Sequence, residues 1–161
     1  MQLDGFRTAR WIALLLPLAL VGGAHTSELF GLVPCEMCWY QRYPHYAAIL
    51  IALLSFLVPG RQPQRALVLL AGIAIAISGG IGVFHAGVEY HWWQGITACT
   101  AQAHGSNPME MLTEALRRPL IRCDVAQWTL FGISLAGFNA IISLTGAAAI
   151  FVLALRKGRR A

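Results

Sequence analysis

Residues 125–155 hold no charged side chain, and three other stretches of the chain are nearly as apolar. A lipid-exposed backbone must satisfy its own hydrogen bonds, so an apolar run of about 20 residues reads as a membrane-spanning helix. The candidate spans are about 11–30, interrupted only by Glu28; about 43–58, short unless residues 39–43 serve as an interfacial turn; about 66–90, ending near Glu89; and about 125–155. Only 12% of the 161 residues are charged and 57% are hydrophobic, about half the usual share of charge in a soluble domain. The expected fold is all-α, a polytopic membrane protein in one domain over 1–161. It is a four-transmembrane-helix bundle with a long external loop, about 91–124, between helices 3 and 4. A rival reading of the first span is a cleavable signal peptide, with Arg7 and Arg10 ahead of an apolar core and small residues at Gly22 and Ala24. Retention gives an even number of spans, which suits the charges.

Basic residues set the orientation. Arg7 and Arg10 precede the first span, Arg61 and Arg65 lie between the second and third, and Arg156, Lys157, Arg159 and Arg160 close the chain. Under the positive-inside rule these ends are cytoplasmic, including both termini. The net charge of +5 is then a matter of orientation and lipid attraction, and no pattern points to nucleic acid. Cys35, Cys38, Cys99 and Cys123 all fall on the opposite face, where Trp39, Tyr40, Tyr43, Tyr90, Trp92, Trp93 and Trp128 form an interfacial aromatic belt. In a bacterium that face is the periplasm, where disulfides persist. In the loop, Asn107 is placed to cap a helix that begins at Pro108, with Glu110 completing the cap, and Met109, Leu112 and Leu116 recur at helical spacing before Pro119. This segment is either a short amphipathic helix on the membrane surface or a turn packed over the bundle.

Four cysteines on one face admit three chemistries. Two structural disulfides are one, but a Cys-x-x-Cys bridge closes too small a loop to stabilise much through chain entropy. Zinc is another, yet 23 residues separate Cys99 from Cys123, far from the close spacing of a second knuckle. The third is a thiol-disulfide relay, in which each transfer passes through a mixed disulfide. Cys99 and Cys123, in the long loop, can reach a soluble partner; Cys35 and Cys38 sit at the lipid boundary. An acceptor in the membrane must take two electrons. The chain has neither a dinucleotide fingerprint nor a haem-attachment motif, and a lipid-soluble quinone needs neither. Arg42, near Cys38, is a candidate to favour a thiolate and to hydrogen-bond a quinone oxygen, although Pro44 counts against a continuous helix there. His91, beside Glu89, is a second candidate for the quinone site, with His85 deeper in the span. Gly79, Gly80 and Gly82 read as helix-packing positions.

The combination "CEMCWYQR", then "HAGVEYHWW" followed by "TACT", then "IRCD" followed by "WTLFGISLAGFNA", resembles the disulfide bond formation protein B family over nearly the whole chain. The resemblance implies a bacterial inner-membrane oxidase that reoxidises DsbA, a periplasmic thioredoxin-fold dithiol oxidase, and passes the electrons to ubiquinone or menaquinone in the membrane quinone pool. It implies that Cys35 and Cys38 are the quinone-coupled pair, that Cys99 and Cys123 are the partner-facing pair, and that Arg42 and, less directly, His91 serve the quinone. DsbA is itself a strong oxidant, so its reoxidation needs a strong terminal acceptor. Two alternatives stand beside this reading. One is a vitamin K epoxide reductase-like enzyme, whose loop cysteines precede the Cys-x-x-Cys instead of following it; the other is a non-catalytic membrane scaffold with stapled loops.

Overall fold

The computed structural model describes residues 5–97, 107–117 and 122–156. In chain order these form α1 (Gly5–Leu29), α2 (Glu36–Leu57), α3 (Arg61–Glu89), α4 (Pro108–Arg117), the two short strands β1 (Thr129–Leu130) and β2 (Ile133–Ser134), and α5 (Leu135–Leu155). The four long helices close a ring in which α3 packs on α2 and α5, and α1 packs on α5 and α2. Three of them, α1, α3 and α5, are long and apolar enough to cross a membrane. The first turns of α2 carry Glu36, Gln41, Arg42 and His45, and α2 is not among these three.

Small side chains fill the interior and large ones face outward, the reverse of a soluble core. Ala9, Ala13, Ala48, Ala52, Ala71 and Ala147 are buried around Val68, Ile75 and Ile150, while Leu15, Leu50, Leu53 and Leu70 are exposed. In lipid, burying a leucine gains little, and close backbone approach with good packing decides the interface. Gly79 and Gly82 of α3 show this against α5. A Cβ at Gly82 would sit 3.0 Å from the Ala136 carbonyl oxygen and 3.0 Å from the Ala140 nitrogen, and one at Gly79 would sit 2.8 Å from Leu144 Cγ. Gly80, grouped with them in the sequence reading, faces open space instead, because only residues three apart share a helix face.

All four long helices start away from the expected spans, and α2 and α5 depart furthest. The second begins at Glu36, with Cys35 as its N-cap, so the helix runs unbroken through Pro44. The objection that Pro44 raised to a helical Arg42 therefore fails; membrane helices tolerate an interior proline where neighbouring groups compensate for the missing hydrogen bond. The last long helix starts at Leu135 instead of near 125. Ahead of it, β1 and β2 pair antiparallel about Phe131 and Gly132, whose φ values of 52° and 77° make a two-residue hairpin turn. Ser134 then caps α5, its Oγ accepting from the Gly137 N–H at 3.1 Å. The expected loop helix is present as α4, and Asn107 Oδ1 accepts from the Glu110 N–H at 2.9 Å.

Candidate dithiol centre

The dithiol is fixed by the start of α2. As N-cap, Cys35 has extended backbone and its sulfur accepts from the Cys38 N–H at 3.3 Å, one of the orphan donors at a helix N-terminus. The helical turn brings the two sulfurs within 3.0 Å of each other. Both are free thiols, about an ångström from disulfide bonding distance. The hydrogen bond with the Cys38 sulfur, followed by burial, pushes the Cys35 thiol up from its ordinary pKa.

Both cysteines pack on one cluster and line a small cavity together with Arg42, and only Cys38 also borders a larger one. Cys35, 4% exposed, packs in a small apolar cluster with Met37, Val88 and Cys123, the last fully buried. Cys123 is disulfide-bonded, and Thr97 Oγ1 lies 3.5 Å from its sulfur. Outside that cluster, Arg122 forms a two-pronged pair with Asp124, Nε to Oδ1 at 2.8 Å and Nη2 to Oδ2 at 2.5 Å; this guanidinium holds the Asp124 carboxyl below the usual carboxylate range. Cys99 lies outside the described residues. Cys38, by contrast, borders a cavity of about 290 Å³ between α1, α2 and α5, close to the lower end of small-molecule sites. Its walls are mainly apolar, from Leu20, Val21, Ala136 and Phe138, with Arg42, Gln41, His45 and Asn139 supplying the polar groups.

Arg42 is 7% exposed and directs its guanidinium into this region. Its Nη1 pairs with Glu28 of α1, its Nη2 donates to the Ala24 carbonyl oxygen at 3.4 Å, and the group sits 4.9 Å from the centre of the Trp39 ring. The lone acid in the first apolar run is thus the partner of the lone arginine at the head of α2. Arg42 carries more N–H donors than these contacts use.

Behind the thiols lies a hydrogen-bonded polar cluster that the sequence reading did not assemble. Gln41 Nε2 donates to the Met37 carbonyl at 3.3 Å and to His85 Nδ1 at 2.7 Å. With Nδ1 accepting, the ring hydrogen of a neutral His85 is on Nε2, 3.6 Å from Cys35 Sγ and 3.8 Å from Glu89 Oε1. Asn139 Nδ2 donates to Gln41 Oε1 at 2.8 Å and to the Ser78 carbonyl at 3.2 Å, tying α5 to α2 and α3. The signal available in the sequence was Asn139 itself, a polar side chain in a charge-free run, since polar groups inside membrane segments mark functional sites by default. Of the two histidines near the end of the third span, His85 lies against the thiols. His91 lies past α3 with φ 60°, its N–H bonded to the Val88 carbonyl at 3.1 Å, and it is not among the residues lining the two cavities that Cys38 borders. Cys35, Cys38 and His85 also place their donor atoms within 4.8 Å of one another. The His85 nitrogen facing the sulfurs carries the hydrogen, however, so this arrangement suits donation to sulfur and does not offer a metal a lone pair.

A family model for disulfide bond formation protein DsbB matches residues 6–153. The chain is 30% identical to the disulfide bond formation protein B of Marinobacter nauticus, covering 95% of this chain and 96% of that protein. It is 31% identical to the protein of the same name from Verminephrobacter eiseniae, over 83% of this chain and 78% of that one. A shorter match, 41% identical over 46 residues, falls on the disulfide bond formation protein C of Bacillus subtilis and covers 29% of this chain and 32% of that protein. No solved structure matches the chain. With a dithiol at the head of α2 and a family match over almost its entire length, the chain belongs to the disulfide bond formation protein B family.

Proposed function

We propose that the protein is a quinone-dependent protein-dithiol oxidase of the bacterial inner membrane. It reoxidises a periplasmic, DsbA-like thioredoxin-fold protein and passes the electrons to ubiquinone or menaquinone. The observation that carries this reading is the place of the dithiol between two environments: the pair packs on the cluster of disulfide-bonded Cys123, with Cys35 buried inside it, and Cys38 alone of the two also borders the apolar cavity that Arg42 lines. In this reading α2 is the fourth membrane crossing, its polar first turns lying at the periplasmic boundary, and both termini are cytoplasmic.

The chemistry follows from that placement. A reduced partner thiolate attacks the loop disulfide of Cys99 and Cys123, and its second thiol resolves the mixed disulfide, leaving an oxidised partner and a loop dithiol. The loop dithiol exchanges with the disulfide of Cys35 and Cys38. The inner pair, now reduced, closes its S–S bond again as two electrons and two protons pass to a quinone, giving the quinol. Cys38 is the sulfur that faces the quinone. It lies in the first turn of α2, where the helix dipole favours a thiolate, and Arg42 is one turn away. Arg42 orients the quinone by donating to one of its oxygens, and Glu28 holds the guanidinium in place. His85 supplies a hydrogen-bond donor on the Cys35 side, where charge appears during exchange with the loop pair.

The test is quinone reduction by the purified protein with a reduced periplasmic dithiol protein as donor, comparing the native chain with Cys38→Ser. Turnover that disappears in the variant is expected. A native chain inert toward every quinone and donor would replace this reading with that of a scaffold with stapled loops.

A further inference from the structure

The buried hydrogen bonds around Asn139 run in one direction, and that direction leaves one buried acceptor without a partner among the described residues, on a residue of the cavity wall. The Ser78 carbonyl oxygen only accepts, so the Asn139 atom 3.2 Å from it is the amide nitrogen. Asn139 Oδ1 therefore faces His45, whose Nε2, 3.0 Å away, carries the ring hydrogen and donates it. Ser143 Oγ donates to the same oxygen at 3.0 Å. A neutral imidazole has one such hydrogen, so His45 Nδ1 is a bare acceptor. That atom is buried and has no hydrogen-bond partner among the described residues. His45 is 2% exposed, and it forms part of the wall of the 290 Å³ cavity. Buried acceptors are ordinarily paired.

Cys38, Arg42 and His45 stand at i, i+4 and i+7, along one face of α2. Arg42 offers only donors and His45 Nδ1 only an acceptor. Two oxygens placed para on a six-membered ring are separated by about one helical turn, ~5.4 Å, so one carrier can meet both residues. An oxidised quinone presents acceptors at both ends and would set a lone pair against the lone pair of Nδ1. Its reduced form presents an O–H. We propose that His45 Nδ1 accepts the hydroxyl hydrogen of a bound hydroquinone, so that the cavity holds the reduced carrier more tightly than the oxidised one. The inference rests on the quinone reading above and names the redox form that the site recognises. When Cys35 and Cys38 give up two electrons and two hydrogens to form their disulfide, the carrier that gains them acquires the hydroxyl His45 is set to receive. Preferential binding of the product draws the transfer forward within the site, and its cost is product inhibition.

The experiment uses the full chain in detergent micelles with ubiquinone-1 and ubiquinol-1. The KM for ubiquinone-1 and the inhibition constant of ubiquinol-1 are compared between the native chain and His45→Phe. The variant should weaken ubiquinol-1 about tenfold, the equivalent of one hydrogen bond at ~1.4 kcal/mol, while the KM for ubiquinone-1 moves by less than about twofold. Equal weakening of both forms, or of neither, overturns the proposal. A second measurement needs no variant: ubiquinol-1 dimethyl ether, which lacks the hydroxyl hydrogens, should compete about tenfold less well than ubiquinol-1 at the native chain, and the two should compete equally at His45→Phe. Equal competition at the native chain overturns the proposal. A native chain that binds neither form of the carrier overturns the quinone reading as well. One that reduces ubiquinone-1 with unchanged quinol inhibition in His45→Phe overturns this inference alone.

Discussion

Asn139→Leu tests whether the polar cluster behind the thiols holds the bundle together. The substitution keeps the branching of the side chain but enlarges it and removes the amide that joins three helices: its Nδ2 donates to Gln41 Oε1 and Ser78, and its Oδ1 accepts from His45 and Ser143. Gln41 Oε1 has Asn139 as its one hydrogen-bond partner among the described residues, so it is stranded beside a buried His85. A stranded buried acceptor costs about 1–3 kcal/mol, and each neutral hydrogen bond lost beyond that about 1 kcal/mol. Interhelical hydrogen bonds measured within membranes average only ~0.6 kcal/mol, which pulls the sum down. A destabilisation of about 2–4 kcal/mol follows. Reversible unfolding in mixed micelles of increasing SDS content, read by far-ultraviolet circular dichroism, measures it directly. A change below ~0.5 kcal/mol, within the range of an ordinary surface substitution, would refute the view of the cluster as a structural tie. The same variant leaves Gln41 free to turn away from His85, so exchange between the loop pair and the Cys35 disulfide should slow as well.

Arg42→Ala should raise the KM for quinone or lower kcat by about ten- to a hundredfold, the range for one charged hydrogen bond of ~1.5–3 kcal/mol. Arg42→Lys should recover only part of this, because an ammonium cannot reach Glu28 and a ligand with one planar fork; steady-state quinone reduction checks both. Gly82→Ala should destabilise the bundle, since its Cβ would press on α5 backbone at 3.0 Å, whereas Gly80→Ala, in open space, should be neutral or gain about 0.5–1 kcal/mol of helix propensity; SDS unfolding of the two separates packing from propensity. For Asp124 the sign is that of a depressed carboxylate. Its pairing with Arg122 is fully in place above the unfolded-state pKa of about 3.9 and is lost as pH falls through the lower folded value. Proteolysis of the segment around Cys123 should therefore be unchanged between about pH 7 and 5 and rise only below about pH 4.

The helices were legible because a bilayer admits few alternatives: an apolar run such as 125–155 has almost no other solution. Their ends were not. The start of α2 was hidden because Cys35 caps through sulfur, a role sequence rules reserve for Ser, Thr, Asp and Asn, and because Pro44 marks a break by local rules that the bundle overrides. The start of α5 was hidden because a hairpin built on Thr129, Leu130, Phe131 and Gly132 is as apolar as the helix it precedes. At the candidate site, spacing and chemistry single out Cys35, Cys38, Cys123 and Arg42, which the fold brings near one another. Glu28, Gln41, His85 and Asn139 were not brought together, because each comes from a different helix and acquires its role only from contacts made across 14 to 98 positions of chain.

One dithiol at a helix start resolves a geometric difficulty that any such relay faces. In the proposed function, electrons leave an aqueous loop and arrive in lipid, and thiol exchange and quinone reduction would each need contact with a sulfur. Because Cys35 is the N-cap and Cys38 lies in the first turn, their sulfurs are held 3.0 Å apart by the backbone of α2 itself, and both pack on the cluster that contains Cys123 while only Cys38 also borders the 290 Å³ cavity. In the proposed relay, forming and breaking one S–S bond over about an ångström would move two electrons between these environments. A longer spacing between the cysteines would no longer hold the two sulfurs within one helical turn, and in the proposed relay the direct hand-over between them would be lost.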